Sequence, residues 1–329
     1  MHRSSFSRLL TAGAIALATL ASLPAHAGPF SALYVFGDSL SDNGNNAALI
    51  GANPAQVITG NTYVPSNPYA AGTYSNGQVW ANYYANMLGV PLTASLAGGG
   101  DFAFGGATTG AGSQLPSLLA QTGQYLGATG GVAQANALYV VAGGGNNARA
   151  ALTAIGGGAD FGTTVAAAAA GFANDIGLIV DQLQAAGAQH IVVWNTPNLG
   201  LAPAVVAGGG AQLGSFLAGA MNGALAARLN GEAGVSTFDL FGLGGQLAAN
   251  PATFGFTNVT DACGAVANAN CSQYAYWDGI HPTTAAHSAI ADAMYAATVP
   301  VPEPETWALM AFGLVAVAWG ARRRRRTPA

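Results

Sequence analysis

The residue types best suited to chemistry lie near the C-terminus, where Asp278 and His281 are separated by two residues in WDGIHPT. An aspartate can hold one nitrogen of an imidazole ring while the other nitrogen removes a proton from a nucleophile. Ser39, in FGDSLSDNGN directly after an apolar stretch, carries a hydroxyl that could serve as that nucleophile. These residues predict nucleophilic catalysis, although D-x-x-H alone occurs often by chance and fits a structural Asp–His pair.

His281 is selected among five histidines by elimination. His2 and His26 lie in a predicted signal peptide, His190 begins a predicted strand, and His287 lies within a predicted helix. The chain has no Lys, so Ser39 cannot be activated by a Ser–Lys dyad. It also lacks G-x-S-x-G, the nucleophile motif of the common α/β-hydrolases.

Strands and helices alternate along the chain and would position these groups. Apolar runs predict strands at 32–36, 138–142, 190–194 and 235–240. Helices are predicted at 163–186, at 211–229 and, after Pro282, at 285–297. This alternation predicts a parallel α/β sheet covered on both faces, in which ligands collect at the carboxyl ends of the strands.

Residues 50–78, rich in Asn, Pro, Tyr and Gly, are interpreted as an insertion or long loop over the site. Aromatic residues are concentrated there and just beyond. They could line an acyl or sugar site, or they could pack in the core. The residues concerned are Tyr63, Tyr69, Tyr74, Trp80, Tyr83 and Tyr84.

Four sequence blocks together resemble the GDSL, or SGNH, esterase and lipase family. FGDSLSDNGN resembles its first block, DFAFGGA at 101–107 its second, GGNN at 144–147 its third and WDGIHPT its last. The blocks follow the family's order over residues 32–297. The resemblance implies a three-layer α/β/α sandwich with a mainly parallel sheet, of the flavodoxin-like SGNH-hydrolase type, over residues 28–300.

The resemblance also implies roles for the triad and for the protein. Ser39 would be the nucleophile, His281 the general base and then acid, and Asp278 the group that orients His281. The implied function is hydrolysis of carboxylic esters through an acyl-enzyme, with no cofactor and no metal. Lipid, short acyl ester and acetylated glycan all remain open as substrates. The alternative hypothesis is a surface or matrix binding protein built on a decayed esterase fold.

The family's oxyanion hole maps onto three further groups. They are the backbone N–H of Ser39, the backbone N–H of Gly106 and the side-chain amide of Asn146, with Gly105 as the alternative to Gly106. Donors aimed at a developing negative charge are each worth ~3 kcal/mol of barrier. Two positions depart from the family's blocks and are assigned no chemistry: Asp101, where Asn is usual, and Asn147, where Asp is usual.

The N-terminus reads as a signal peptide over residues 1–27. Arg3 and Arg8 form a basic region, residues 9–23 are apolar, and Ala25-His26-Ala27 supplies a small-residue cleavage site. The alternative is a buried N-terminal helix.

The C-terminus, residues 301–329, resembles the PEP-CTERM sorting tail of exported Gram-negative proteins. The sequence PEP at 302–304 precedes an apolar run at 306–321 and five consecutive Arg at 322–326. The resemblance implies transient anchoring in the inner membrane and processing by an exosortase-type peptidase. The alternative is an ordinary C-terminal membrane anchor. Either reading predicts that the body lies in the cell envelope, on the cell surface or outside the cell.

The expected export restricts the state of the two cysteines, and the net charge restricts the class of binding partner. In an oxidising compartment we expect Cys263 and Cys271 to form a disulfide; metal binding is disfavoured because no further Cys or His lies near them. Residues 28–300 hold two Arg and eleven acidic residues, a net charge of about −9. Because phosphate contacts require Lys or Arg, nucleic acid is not an expected partner.

Overall fold

The computed structural model of the chain describes residues 29–63, 65–110 and 114–299, with positions 310, 312–315, 317 and 319. The predicted signal peptide at 1–27 lies outside the described residues, as do PEP at 302–304 and the Arg run at 322–326. Within the apolar run of the tail, the described positions are helical and their side chains are exposed.

The central sheet is parallel, with strands in the order β1-β2-β3-β4. The strands are β1 Leu33–Gly37, β2 Leu138–Ala142, β3 His190–Trp194 and β4 Val235–Phe238. An extended segment at 100–104 runs beside β1: the Val35 N–H donates to the Gly100 carbonyl and the Phe102 N–H donates to the Val35 carbonyl. Counted as a strand, this segment gives the doubly wound order 2-1-3-4-5.

Helices cover both faces of the sheet. They are α1 Asn45–Ile50, α2 Trp80–Leu88, α3 Leu118–Ala128, α4 Gly145–Gly156, α5 Phe161–Ala185, α6 Pro203–Ala207, α7 Ala211–Leu229, α8 Leu240–Ala249 and α9 Thr284–Thr298. On one face α3, α4, α5 and α7 form a core with the sheet, and on the other α2, α8 and α9 form a second core. The predicted three-layer α/β/α sandwich is confirmed.

The two cores follow from the alternation of side chains along each strand. Val141 and Val193 face the first core, whereas Val140 and Val192 face the second, because successive residues of a strand point to opposite faces. A strand buried on both sides must be apolar throughout, which is the pattern of LYVVA in β2.

Among the residues that the structure describes, one helix, α5, is long and apolar enough to cross a membrane by length and hydropathy alone. In the structure it packs against the sheet, and Ile176, Ile179 and Leu183 are fully buried in the first core. We therefore interpret α5 as a core helix.

Some predicted boundaries shift because side chains cap helices. The predicted strand at 235–240 ends at Phe238, since the Asp239 carboxylate accepts the Gly242 N–H and starts α8 at Leu240. The Asp160 side chain accepts the Thr163 N–H in the same way and starts α5 two residues before the predicted position. Helix α9 begins as predicted after Pro282, with Thr283 as its cap.

A small sheet not predicted from the sequence lies outside the main one. Its strands are β5 Asn258–Ala262 and β6 Tyr274–Tyr276. Cys263 and Cys271 are joined by a disulfide in the connection between them. Strand β6 leads directly into the segment that carries Asp278 and His281.

Candidate active site

Ser39 lies on a tight turn two residues beyond the end of β1. The turn closes where the Ser41 and Asp42 N–H groups donate to the Asp38 carbonyl at 3.0 Å. Below it, the buried Gln121 amide pairs with both backbone groups of Gly37, at 2.8 and 2.9 Å. These bonds fix the end of the strand and hence the position of the Ser39 side chain at the sheet's carboxyl edge.

His281 comes from the other end of the chain and meets Ser39 directly. Its Nε2 lies 2.8 Å from the Ser39 Oγ, and its Nδ1 lies 2.6 Å from Oδ2 of Asp278. The His281 side chain is almost completely buried. The structure therefore brings the three sequence-predicted residues into a Ser–His–Asp arrangement, in which the imidazole can accept the serine proton.

The Asp278 carboxylate organises the segment that carries His281. Its Oδ1 accepts the backbone N–H groups of Ile280 and His281, each at 2.7 Å. Burial alone would raise the pKa of Asp278, but the His281 charge and the hydrogen bonds to the carboxylate hold that pKa below its ordinary value. Asp278 is therefore ionised and can stabilise an imidazolium.

Three N–H groups at the site could donate hydrogen bonds to a developing oxyanion. In the part of the chain that the structure describes, the backbone N–H groups of Ser39 and Gly106 have no hydrogen-bond partner. The Gly105 N–H, in contrast, donates to Oδ2 of Asp42 at 2.9 Å. This difference favours Gly106 over Gly105. The Asn146 amide donates one N–H to the Ala107 carbonyl at 2.9 Å and retains a second.

Loops from the first two sequence blocks are tied together by buried side chains. Asp42 accepts the Asn45 and Asn46 N–H groups at the start of α1 as well as the Gly105 N–H. The Asn45 amide donates to the carbonyls of Asp101 and Ala103. These bonds hold the segment carrying Gly106 beside the Ser39 turn.

Asp101 and Asn147, the two residues that differ from the family's blocks, both form hydrogen bonds with nearby loop residues. Asp101 accepts the backbone N–H groups of Asn43 and Ala103 and is fully buried, which raises its pKa well above the ordinary value. Asn147 accepts the Thr109 N–H and donates to the Thr109 hydroxyl. Neither side chain reaches Ser39, which agrees with assigning them no chemistry.

A cavity of about 300 Å³ opens beside Ser39 and His281. Besides Ser39 and His281, its polar lining residues are Asp38, Asn146, Arg149, Asn198, Thr260 and Tyr276. Much of the remaining wall is aliphatic and comes from the segment after β3, from α8 and from α9. The main contributors are Leu199, Leu201, Leu240, Leu243, Leu247 and Ile290.

The sequence model of the GDSL-like lipase/acylhydrolase family matches residues 33–294, which covers both Ser39 and His281. The chain belongs to this family. A PEP-CTERM protein-sorting motif matches residues 300–325, in agreement with the expected tail.

Named relatives of this GDSL-family chain are esterases and lipases. It is 34% identical over 105 residues to acetylajmalan esterase 2 of Rauvolfia serpentina, covering 27% of this chain and 29% of the relative. It is 30% identical over 201 residues to lipase 1 of Photorhabdus luminescens, covering 61% of this chain and 27% of the relative. The chain thus spans less than a third of the length of these relatives.

The aromatic residues around the GDSL-family site divide between the two expected roles. Trp80 and Tyr84 are fully buried in the second core. The ring centroids of Tyr63 and Tyr74 lie 5.0 and 5.4 Å from that of His281, and the Tyr69 hydroxyl reaches the triad. The long loop therefore covers His281, as predicted, while Trp80 and Tyr84 pack in the core.

Tyr69, named from the sequence only as one of six aromatics, makes a contact with Asp278 that sequence reasoning did not predict. Its hydroxyl donates to Oδ2 of Asp278 at 2.6 Å, the same oxygen that faces Nδ1 of His281. Burial and the nearby carboxylate raise the pKa of Tyr69, so the phenol stays protonated and donates. The concentration of tyrosines in the loop was visible in the sequence, but the pairing spans 209 positions and depends on the fold.

We expect Tyr69→Phe to move the acid limb of the kcat/KM pH profile to higher pH, by roughly 0.5 to 1 unit. Without the hydroxyl, more negative charge remains on Oδ2, so the Asp278–His281 pair takes up its proton at a higher pH. The measurement is ester hydrolysis between pH 4 and 9.

Tyr74→Phe is the matched control, because the Tyr74 hydroxyl accepts a hydrogen bond from Asn46 and not from the triad. Its acid limb should stay in place. An unshifted limb in Tyr69→Phe, or equal shifts in both variants, would show that Tyr69 only packs against the loop.

Proposed function

We propose that this chain is an exported serine esterase that cleaves carboxylic esters through an acyl-enzyme on Ser39. The observation that carries the proposal is the contact of 2.8 Å between His281 Nε2 and Ser39 Oγ, with the buried Asp278 on the opposite side of the imidazole ring. Membership of the GDSL-like lipase/acylhydrolase family supports the reaction class.

The proposed first half-reaction forms an ester on the enzyme. The Ser39 oxygen attacks the substrate carbonyl while His281 Nε2 takes the hydroxyl proton, and Asp278 stabilises the imidazolium. The carbonyl oxygen becomes an oxyanion that accepts hydrogen bonds from Ser39, Gly106 and Asn146. The C–O bond to the alcohol then breaks, and His281 returns the proton to the leaving alcohol.

The second half-reaction regenerates the serine. Water attacks the acyl carbonyl as His281 removes one of its protons, and the same donors stabilise the second oxyanion. When the bond to Ser39 Oγ breaks, His281 gives the proton back to the serine and the carboxylic acid leaves. The chain supplies every proton transfer, and no cofactor or metal is required.

The cavity favours an aliphatic acyl group over an acetylated glycan or a very short acyl ester. A sugar site needs many polar groups along its wall, whereas most residues that line this cavity are apolar and leucine side chains supply much of the wall. Each CH₂ buried there contributes about 0.8 kcal/mol, so longer chains should bind the site more tightly until the cavity is full.

Ser39→Ala tests the catalytic proposal. It should abolish hydrolysis of p-nitrophenyl butyrate and covalent labelling by a fluorophosphonate probe, while the melting temperature stays close to that of the wild type. Ser41→Ala is the control within the same turn, since the Ser41 hydroxyl accepts a hydrogen bond from the Trp80 indole. That variant should still be labelled.

Retained hydrolysis and labelling in Ser39→Ala would refute the assignment of the nucleophile. A folded wild-type protein that neither hydrolyses esters nor reacts with the probe would instead support the alternative, a binding protein with a decayed esterase site.

Gly244→Phe tests the acyl pocket. Gly244 lines the cavity from α8, so a phenyl ring there should fill part of the space that holds the distal carbons. We expect wild-type kcat/KM to rise from p-nitrophenyl acetate to the decanoate. In the variant the decanoate-to-butyrate ratio should fall by about tenfold or more, because the last few CH₂ groups lose their burial.

Gly245→Phe is the matched control: the neighbouring glycine is exposed, and a side chain built there would meet open space. Its chain-length profile should match the wild type. Identical profiles for the two variants, or faster wild-type turnover of acetylated xylan than of any p-nitrophenyl acyl ester, would contradict the acyl assignment.

The proposal includes the route by which the enzyme leaves the cell. Residues 1–27 are the signal peptide, 28–300 the esterase domain and 301–329 the sorting tail, and the match of the PEP-CTERM motif to 300–325 supports the last. The tail would hold the protein transiently in the inner membrane of a Gram-negative cell until an exosortase-type peptidase processes it.

A further inference from the structure

One cationic side chain stands beside the candidate active site without a carboxylate partner. The chain has no Lys, and the described residues 29–299 contain two Arg. Arg228, on α7, forms ion pairs with Asp181 and Glu232. Arg149, on α4, lines the cavity and forms no ion pair within the described part of the chain.

Arg149 is held in place by contacts that leave most of its hydrogen-bonding capacity unused. Its guanidinium carbon lies 4.4 Å from the centroid of the Tyr63 ring, and one N–H donates to the Asn146 amide oxygen at 3.4 Å. A guanidinium carries five N–H donors in a planar fork suited to the oxygens of carboxylates and phosphates. A half-buried, pre-oriented cation of this kind can bind an anion with little further ordering.

We infer that Arg149 binds an anionic group, a phosphate or a carboxylate, on the alcohol portion of the ester substrate. The inference rests on the proposed esterase function and names its substrate class. An ester of this class would be a fatty acyl chain joined to an alcohol that carries a negative charge.

The position of Arg149 relative to His281 assigns the anion to the alcohol side. His281 returns the proton to the leaving alcohol, so the alcohol must lie next to the His281 ring. The Tyr63 ring contacts both His281, at 5.0 Å between centroids, and the Arg149 guanidinium. The guanidinium is thus one side chain away from the departing oxygen, while the acyl chain occupies the aliphatic part of the cavity.

Two structural roles for Arg149 compete with anion binding. Its positive charge lowers the pKa of the buried Asp38, although burial is the larger effect and raises that pKa to about 6. Its hydrogen bond to Asn146 could also fix the amide that serves the oxyanion. Both roles act on the reaction centre itself, so they would affect every ester substrate to the same extent.

The test compares two substrates that share the same acyl chain and differ by one phosphate group: monodecanoyl glycerol and monodecanoyl glycerol phosphate, both below their critical micelle concentrations. We expect Arg149→Met to reduce the ratio of kcat/KM for the phosphorylated ester to that for the neutral ester by at least about tenfold. Effects on Asn146 or Asp38 cancel in this ratio. Arg149→Lys should restore part of the ratio, because it keeps the charge but loses the planar fork.

Arg228→Met is the matched control, since it removes the same positive charge from a residue that does not line the cavity; its ratio should equal that of the wild type. A ratio unchanged in Arg149→Met, or lowered equally in Arg228→Met, would overturn the inference. If the wild-type protein hydrolyses neither these two esters nor p-nitrophenyl butyrate, the proposed esterase function fails instead; hydrolysis of p-nitrophenyl butyrate alone would overturn the inference about the charged alcohol.

Discussion

A buried carboxylate, Asp278, is the constraint on which the rest of the site depends. An isolated charge in a protein interior is unstable unless hydrogen bonds replace its lost hydration. Asp278 receives them from the backbone of Ile280 and His281, from the His281 ring and from the Tyr69 hydroxyl. Satisfying this one group therefore orients the imidazole, shapes the loop before α9 and attaches the long loop at 50–78 to the catalytic segment.

A second buried carboxylate, Asp42, fixes the segment that carries Gly106. Asp42 joins the start of α1 to the Gly105 backbone, and so fixes where the neighbouring Gly106 N–H lies. Gly106 has φ +84, a conformation that favours glycine, and it has no side chain to obstruct a substrate. The same residue that ties Gly105 to the turn thus leaves Gly106 available as a donor.

The sequence predicted the parts of this molecule that depend on residue type and local pattern. Continuous apolar strands, such as LYVVA in β2, require burial on both faces and so predict the layered sheet. Ser39, Asp278 and His281 were identifiable because few residues can perform their chemistry and because the four blocks occur in the family's order. Asp239 shows that prediction from local pattern can misplace the end of an element. Its capping hydrogen bond, and not the hydrophobicity of the segment, ends β4 and begins α8.

Contacts between distant segments could not be predicted in this way. The Tyr69 bond to Asp278 and the Tyr63 stack on Arg149 join a loop without regular periodicity to other parts of the chain. The aliphatic cavity draws its wall from residues near 200, near 245 and near 290, which only the tertiary fold brings together. In the proposed function, these long-range features determine which ester binds, whereas the local motifs determine the type of reaction.

The measurement that tests the account most directly is the identification of the covalent intermediate. The protein would be mixed with p-nitrophenyl decanoate, quenched in acid during the first turnover, digested and examined by peptide mass spectrometry. The account predicts a decanoyl group on the peptide that contains Ser39, attached at Ser39 itself. An acyl group on another residue, or complete turnover with no acylated peptide at any quench time, would contradict it.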